Sequence, residues 1–161
     1  MKTSTIVTAR YYFNRYKEKT LAKILGIEMV LRVADICSKV IGKNDLYIVT
    51  DRKKIEKVAS PSGYKCIFTS KKCLTGTDRV AEASKKINSN LIINVQSDEL
   101  LIKPNDIKKI IDAKRRYLNE VICGYTDIQK NEYTANKNIP KTVDTIKNIF
   151  KVEKILLKNY V

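Results

Sequence analysis

Hydrophobic positions along the chain alternate between short apolar runs and stretches with helical spacing. Four short runs predict β-strands, at residues 4–8, 46–51, 64–69 and 91–95. Helical spacing predicts a core-facing helix over residues 29–41 that ends at Gly42, a short helix over 55–59, and a helix from Pro104 to about Tyr117. Strands that alternate with helices are typical of an α/β fold with a mainly parallel sheet.

Polar side chains follow the run at residues 91–95. This run is apolar apart from Asn94, which is typical of a parallel strand covered on both faces, and Gln96, Asp98 and Glu99 come directly after it. Ligands of open α/β sheets bind outside the carboxyl ends of the strands. A carboxylate there suits Mg²⁺, which takes one or two protein carboxylates and fills its other positions with water and phosphate oxygens. A solvated acidic turn is the alternative interpretation.

A basic loop follows the first predicted strand. Arg10, Arg15, Lys17 and Lys19 lie within it. Backbone N–H groups and several cations in one loop can bind phosphate oxygens, so we interpret the loop as a candidate phosphate-binding loop, although it is not a Walker motif. A solvated basic loop explains the same residues.

A glycine turn opens a further helical pattern. Thr75 or Thr77 is the expected N-cap of a helix that continues to about residue 83. Helix N-termini present free N–H groups and favour anions, so this turn could hold part of a nucleotide. Capping alone explains these residues equally well.

The pattern weakens after residue 119. Residues 120–126 predict another strand, 126–141 a polar loop and 142–149 a strand with a turn, while 152–157 are ambiguous. Without repeats or a clear linker, the 161 residues are expected to form a single domain, 1–161.

Composition excludes several classes of protein. No apolar run approaches the roughly 20 residues of a membrane span, and the N-terminus has no signal-peptide core, so we expect a cytoplasmic protein without membrane association. The chain has no histidine and its four cysteines form no C-x-x-C pair, which argues against a zinc site and a Ser-His-Asp triad. We expect the cysteines to be reduced and mostly buried.

The net charge of +15 raises the question of nucleic-acid binding. The lysines are spread along the whole chain among many isoleucines and asparagines. That is the composition expected from AT-rich coding, so nucleic acid is not the expected partner.

Four stretches follow one another in a fixed order: I-V-T-A-R-Y-Y-F-N-R-Y-K-E-K-T-L over residues 6–21, T-D at 50–51, T-G-T-D-R-V-A-E over 75–82, and N-V-Q-S-D-E-L-L-I over 94–102. In this order and at these separations they resemble the CMP-Kdo synthetases, the 3-deoxy-manno-octulosonate cytidylyltransferases. Residues 5 to about 125 match that family well, and residues 126–161 match it poorly.

The resemblance implies a Rossmann-like nucleotidyltransferase domain that is short at its C-terminus. The implied reaction transfers CMP from CTP to the anomeric hydroxyl of Kdo or a related acidic sugar, with Mg²⁺ as cofactor and pyrophosphate as the second product. In such a transfer the protein mainly positions the reactants and stabilises charge. The family's dimer surface also implies a homodimer.

Residue roles follow from the matched motifs. By resemblance Lys19, Arg10 and Asp98 are catalytic, and Asp98 is also the metal ligand. The implied substrate-binding residues are Arg15, Thr75, Gly76, Thr77, Asp78, Arg79 and Gln96.

The chain departs from the family pattern at several positions. The family proline is Thr8, its loop serine is Phe13, its proline and glycine before the lysine are Lys17 and Glu18, and its G in Q-G-D-E is Ser97. A glycine permits unusual backbone angles near phosphate, and Glu18 instead places a negative charge beside the negatively charged phosphate.

Since the family also takes a second aspartate from later in its sequence, we expect little transfer activity from this chain alone. The alternative function is a catalytically inactive binding or assembly module.

Overall fold

The computed structural model of the chain describes residues 1–10, 18–125 and 150–151. The chain divides into two compact units, residues 1–100 and residues 101–161. The single domain expected over residues 1–161 stays a prediction.

The first unit contains the elements that the apolar runs predict. In chain order, all strands and α-helices described in this unit are β1 (Thr3–Thr8), β2 (Lys23–Ile24), β3 (Ile27–Glu28), α1 (Met29–Ile41), β4 (Leu46–Thr50), α2 (Lys53–Ala59), β5 (Lys65–Phe68), α3 (Gly76–Ser84) and β6 (Leu91–Gln96). Short 3₁₀ turns occupy Lys19–Leu21, Lys43–Asp45 and Ser60–Ser62. The four predicted strands and the predicted helices of this unit are therefore confirmed.

Four parallel strands form the sheet, in the order β5-β4-β1-β6. The chain runs outward from β1 through β4 to β5, and then returns to place β6 on the other side of β1. This order reverses between β1 and β6, and ligands of open α/β sheets bind at such a reversal, beyond the carboxyl ends of the strands. The prediction of an α/β fold with a mainly parallel sheet is confirmed.

The core of this unit lies on both faces of the central strands. Ile6 and Val49 pack with Ala83 and Ile87, which connects β1 and β4 to α3. Neighbouring residues of a strand point to opposite faces, and Val7 is also fully buried. Since α1 contacts β1 and β4 as well, helices support the central strands and fix where their ends lie.

Strand β6 differs from the prediction in its burial. Leu91, Ile93 and Val95 are buried, Ile92 is half-buried, and Asn94 is exposed. The expectation that this strand is covered on both faces is wrong, because β6 is an edge strand of the sheet that the described residues form, and Asn94 is exposed on its less covered side.

A small hairpin, which the sequence analysis did not predict, follows the first 3₁₀ turn. Strands β2 and β3 pair antiparallel around Leu25 and Gly26, which have φ of 49° and 81°. Arg32 of α1 donates from Nε to the Ile24 carbonyl at 2.7 Å and holds the hairpin against the helix. Strands of two residues are too short to show the alternation from which strands are predicted.

The second unit begins with α4 (Pro104–Arg116), which confirms the predicted helix. The strand predicted over residues 120–126 is wrong in extent: β7 covers only Gly124–Tyr125 and pairs in parallel with β8, Phe150–Lys151. Lys114 Nζ donates to the carbonyls of Leu118 and Glu120, both at 2.5 Å. These bonds hold the residues between α4 and β7 in a turn. The elements predicted over 126–141, 142–149 and 152–157 lie outside the described residues.

All four cysteines lie in the described part of the chain, and their thiols are free. Cys37 is buried, Cys66 and Cys73 are half-buried and Cys123 is exposed, so the expectation that most are buried is wrong. Burial raises the pKa of the Cys37 thiol to about 12. Cys123 is exposed because it follows the turn after α4, where the predicted strand does not form. No helix in the described residues is long and apolar enough to cross a bilayer.

Candidate active site

The carboxyl ends of β1 and β6 lie side by side at the reversal of the strand order. Thr8 and Gln96 are paired in register, and Thr8 Oγ1 donates to Gln96 Oε1 at 2.9 Å. The next residue of β6, Ser97, is buried and donates its N–H to the Thr8 carbonyl at 3.1 Å. These bonds fix the point at which the chain turns toward Asp98.

Lys19 and Asp98 form an ion pair at this edge. Lys19 Nζ lies 2.9 Å from Asp98 Oδ2, and the two side chains are 24% and 31% exposed. Lys19 begins the 3₁₀ turn, which Thr20 anchors: its side chain is fully buried and Oγ1 donates to the Arg10 carbonyl at 2.7 Å. The structure thus joins a cation from the loop after β1 to the carboxylate after β6.

Arg10 extends from the end of β1 toward the loop before α3. Its Nη2 donates to the Leu74 carbonyl at 2.5 Å. This contact connects the basic loop to the glycine turn, two segments that the sequence analysis treated separately. Arg15 lies outside the described residues.

The N-terminus of α3 is formed by a reciprocal capping box. The Asp78 N–H donates to Thr75 Oγ1 at 3.0 Å, and the Thr75 N–H donates to Asp78 Oδ2 at 2.7 Å. Thr75 is therefore the N-cap, and Thr77 lies exposed on the first turn. Hydrogen bonds from the Thr75 side chain and backbone lower the pKa of Asp78.

Gly76 brings this helix end against Gln96. A Cβ at this position would lie 3.3 Å from Gln96 Nε2 and 3.4 Å from Oε1, which is tighter than most side-chain contacts. The glycine turn and the strand-end amide therefore form one continuous surface, which the sequence analysis expected only from the family resemblance.

Arg79 points into the protein. It is 3% exposed, its Nη1 donates to Thr69 Oγ1 at 2.5 Å, and its Nη2 lies 3.7 Å from Asp51 Oδ2. Thr69 follows β5 and Asp51 follows β4, so the guanidinium ties α3 to the ends of both strands. The predicted role of Arg79 in binding substrate stays a prediction, but its contacts are those of a structural residue.

Two acidic residues beside the ion pair were not among the predicted site residues. Glu18, next to Lys19, has φ of 62° and pairs with Lys54, with Lys54 Nζ 2.6 Å from Glu18 Oε2. Glu99 is half-buried, and its Oε2 is enclosed with no hydrogen-bond partner among the described residues. Burial, and then the nearby charge of Asp98, raise the pKa of Glu99. A strand-end carboxylate was visible in the sequence, but its burial was not.

The carboxylates that follow β6 could serve as ligands for a metal ion. Within residues 1–10, 18–125 and 150–151, no three His, Cys, Asp or Glu side chains lie close enough together to hold one. Mg²⁺ needs only one or two protein carboxylates when phosphates supply further oxygens. Asp98 is partly exposed at the strand end, and Glu99 beside it has a carboxylate oxygen that no described residue hydrogen-bonds. These residues fit an ion that is bound together with a nucleotide.

Sequence comparisons extend the motif resemblance over nearly the whole chain. The cytidylyltransferase family matches residues 4–160. Two proteins named 3-deoxy-manno-octulosonate cytidylyltransferase are similar to this chain. The one from Desulfosudis oleivorans is 31% identical over 149 residues, and the one from Rickettsia conorii is 32% identical over 158 residues. These matches cover 89% and 96% of this chain and 60% and 64% of the relatives, so the chain spans less than two thirds of their length.

Solved structures agree with these relatives. A CMP:2-keto-3-deoxy-manno-octonic acid synthetase complexed with CTP superposes with a TM-score of 0.72 at 28% identity, over 77% of this chain and 53% of that one. A nucleotidyl transferase from Methanothermobacter shares the fold alone, with a TM-score of 0.62 at 12% identity over 78% of this chain and 60% of that one. The predicted nucleotidyltransferase fold is confirmed, and the chain belongs to the cytidylyltransferase family.

Proposed function

We propose that the chain binds CTP and transfers CMP to the anomeric hydroxyl of Kdo or a related acidic sugar, with Mg²⁺ as cofactor. The observation that carries this proposal is the pairing of Lys19 with Asp98 at the reversal of the strand order. Lys19 Nζ and Asp98 Oδ2 lie 2.9 Å apart, and the proposal assigns the cation to phosphate oxygens and the carboxylate to a hard cation. The relatives named above support CTP and a Kdo-type sugar as the substrates.

The proposed transfer divides the residues into two groups. The sugar oxygen forms a bond to the α-phosphorus while the bond to the leaving pyrophosphate breaks. Lys19 and Arg10 stabilise the charge that grows on the phosphate oxygens, and they are placed for it by the 3₁₀ turn and the end of β1. Asp98, with Glu99 beside it, holds the metal. A bound Mg²⁺ supplies further charge stabilisation at the phosphates.

The turn before α3 supports nucleotide binding from the other side. Its N–H groups lie at a helix N-terminus, where partial positive charge favours anions. The Arg10 contact to the Leu74 carbonyl holds this turn near the phosphate-binding loop. Thr75, Gly76, Thr77, Asp78 and Gln96 are proposed to contact the substrates on this surface. Arg15 is proposed as a further phosphate ligand from the family resemblance alone.

Calorimetry with CTP, with and without Mg²⁺, tests the proposal directly. We expect magnesium-dependent binding by the chain and a loss of at least about tenfold in Lys19→Met, since a charge-assisted contact contributes ~1.5–3 kcal/mol. Lys53→Met is the matched control, because Lys53 is exposed on α2 and this substitution removes the same charge from the chain. Equal losses in both variants would show that diffuse positive charge binds CTP.

A non-catalytic binding or assembly module is the second candidate function. Glu18 favours it, since this carboxylate lies next to the proposed phosphate cation at a position where the family has glycine. An absence of magnesium-dependent CTP binding would support this candidate and reject the first. Release of pyrophosphate from CTP only when Kdo and Mg²⁺ are both present would establish the transferase. A cytoplasmic location and a homodimer remain predictions; light scattering tests the latter.

A further inference from the structure

Thr8, the last residue of β1, makes a side-chain contact with the neighbouring strand β6. Thr8 is 1% exposed, and its hydroxyl donates to Gln96 Oε1 at 2.9 Å. Residues paired in register on parallel strands carry their side chains on the same face, which brings the hydroxyl to the amide. A residue without a side-chain donor at this position could not make this bond.

The Gln96 amide is confined from a second direction by α3. A Cβ on Gly76 would stand 3.3 Å from Nε2 and 3.4 Å from Oε1. The amide therefore lies between the Thr8 hydroxyl and the helix end. Once Oε1 accepts the bond from Thr8, Nε2 is the donor end of the amide, with two N–H groups.

We propose that Thr8 is a positioning residue that fixes the Gln96 amide so that Nε2 donates to a hydrogen-bond acceptor of the substrate. This inference rests on the proposed function. The acceptor belongs either to the pyrimidine of CTP or to the acidic sugar, and both offer oxygens of this chemistry. Thr8 itself touches neither substrate and acts through Gln96.

Two substitutions of nearly equal size separate the hydroxyl from the packing. Thr8→Val keeps the buried shape and removes the donor, while Thr8→Ser keeps the donor and removes a methyl group. We expect Thr8→Val to weaken binding of CTP or of Kdo by about three- to tenfold, the scale of one net hydrogen bond, and Thr8→Ser to restore binding to within about twofold. The ligand whose affinity falls identifies the molecule that carries the acceptor.

A double-mutant cycle shows whether Thr8 acts through Gln96. In a Gln96→Ala background, Thr8→Val is expected to cause no further loss, because the amide that it orients is gone. A loss of the same size in both backgrounds would overturn the proposal, as would a Thr8→Val variant that binds both ligands like the parent chain.

Motion of the amide provides a readout that needs no ligand. ¹⁵N relaxation of the Gln96 side chain is expected to give a high order parameter in the parent chain and in Thr8→Ser, and a lower one in Thr8→Val. If the parent chain binds neither CTP nor Kdo, the proposed function fails, while this measurement still decides the positioning by Thr8. Equal order parameters in all three proteins would overturn it.

Discussion

Lys19 Nζ lies 2.9 Å from Asp98 Oδ2, so the proposed phosphate cation and the proposed metal ligand neutralise each other in the absence of ligand. Binding of a magnesium nucleotide would exchange this pair for two others, with the ion on Asp98 and phosphate oxygens on Lys19. A metal ion on Asp98 would free Lys19 for phosphate, and phosphate on Lys19 would free Asp98 for the metal. Metal and nucleotide should therefore bind cooperatively.

We expect Asp98→Asn to abolish the magnesium dependence of CTP binding and to leave the fold intact. The amide keeps the shape of the side chain and loses the charge that holds a hard cation. Both partners of the ion pair are partly exposed, at 24% and 31%, so its loss should cost no more than about 1 kcal/mol of unfolding free energy. Calorimetry and urea unfolding measure the two effects.

Asp112→Asn is the control for that substitution, because Asp112 is 42% exposed in a helical pair with Arg115. Asp112→Asn should leave the magnesium dependence of CTP binding unchanged. Its effect on the unfolding free energy should be no larger than that of Asp98→Asn. Should Asp98→Asn retain the full magnesium dependence, Asp98 has a structural role.

We expect Glu18→Gly to strengthen CTP binding. The substitution removes a negative charge next to Lys19 and places glycine at φ of 62°, where a side chain is strained by about 1 kcal/mol or more. It also removes the pair with Lys54, whose side chains are 37% and 57% exposed and whose contribution is therefore screened. CTP titration and thermal unfolding measure the outcome.

Glu18→Gln separates the charge from the strain, since it neutralises the carboxylate and keeps the backbone conformation. Both variants should bind CTP more tightly, and the glycine variant should be the more stable of the two. Weaker binding in both would indicate that the contact between Glu18 and Lys54 holds Lys19 in place.

We expect Arg79→Met to destabilise the protein by about 1–3 kcal/mol, because it removes the guanidinium from Thr69 and Asp51 and leaves Asp51 only the more distant Arg52, whose Nε lies 3.9 Å from Oδ2. The side chain of Asp51 is only 11% exposed, and its Oδ1 has no hydrogen-bond partner in the part of the chain that the structure describes. Urea unfolding measures the loss. Arg115→Met breaks an exposed ion pair and should cost less than about 1 kcal/mol. A stable Arg79→Met variant with impaired CTP binding would instead support a direct contact with substrate.

We expect Glu99→Gln to stabilise the protein at pH 7 and not at pH 4. The folded pKa of Glu99 is raised above its ordinary value of 4.5, so the folded state favours the protonated form. The stability from this group is complete below the ordinary pKa and is lost as the pH rises through the folded pKa. Glutamine stays neutral and avoids that loss. Urea unfolding at the two pH values tests the sign, and lower stability of the variant at pH 7 would contradict it.

The sequence was informative where a local pattern determines structure. Apolar runs located β1 and β6, and the cap of α3 could be narrowed to Thr75 or Thr77 because capping depends on residues three positions apart. Whether the Arg79 side chain points inward or outward could not be predicted. Its partners Thr69 and Asp51 are distant in the sequence and come close to it only in the folded chain. The positive φ of Glu18 was equally hidden, because only glycine signals that conformation in a sequence.

The pairing of β1 with β6 also sets an order for folding. Thr8 and Gln96 are 88 residues apart, while β1 has neighbours on both sides in the finished sheet. At a synthesis rate of ~5–20 residues per second, β1 must wait about 4 to 18 s for that partner. Strand β1 is therefore made well before its pairing can be completed, and its free edge is a site where unwanted pairing with other chains can compete with folding.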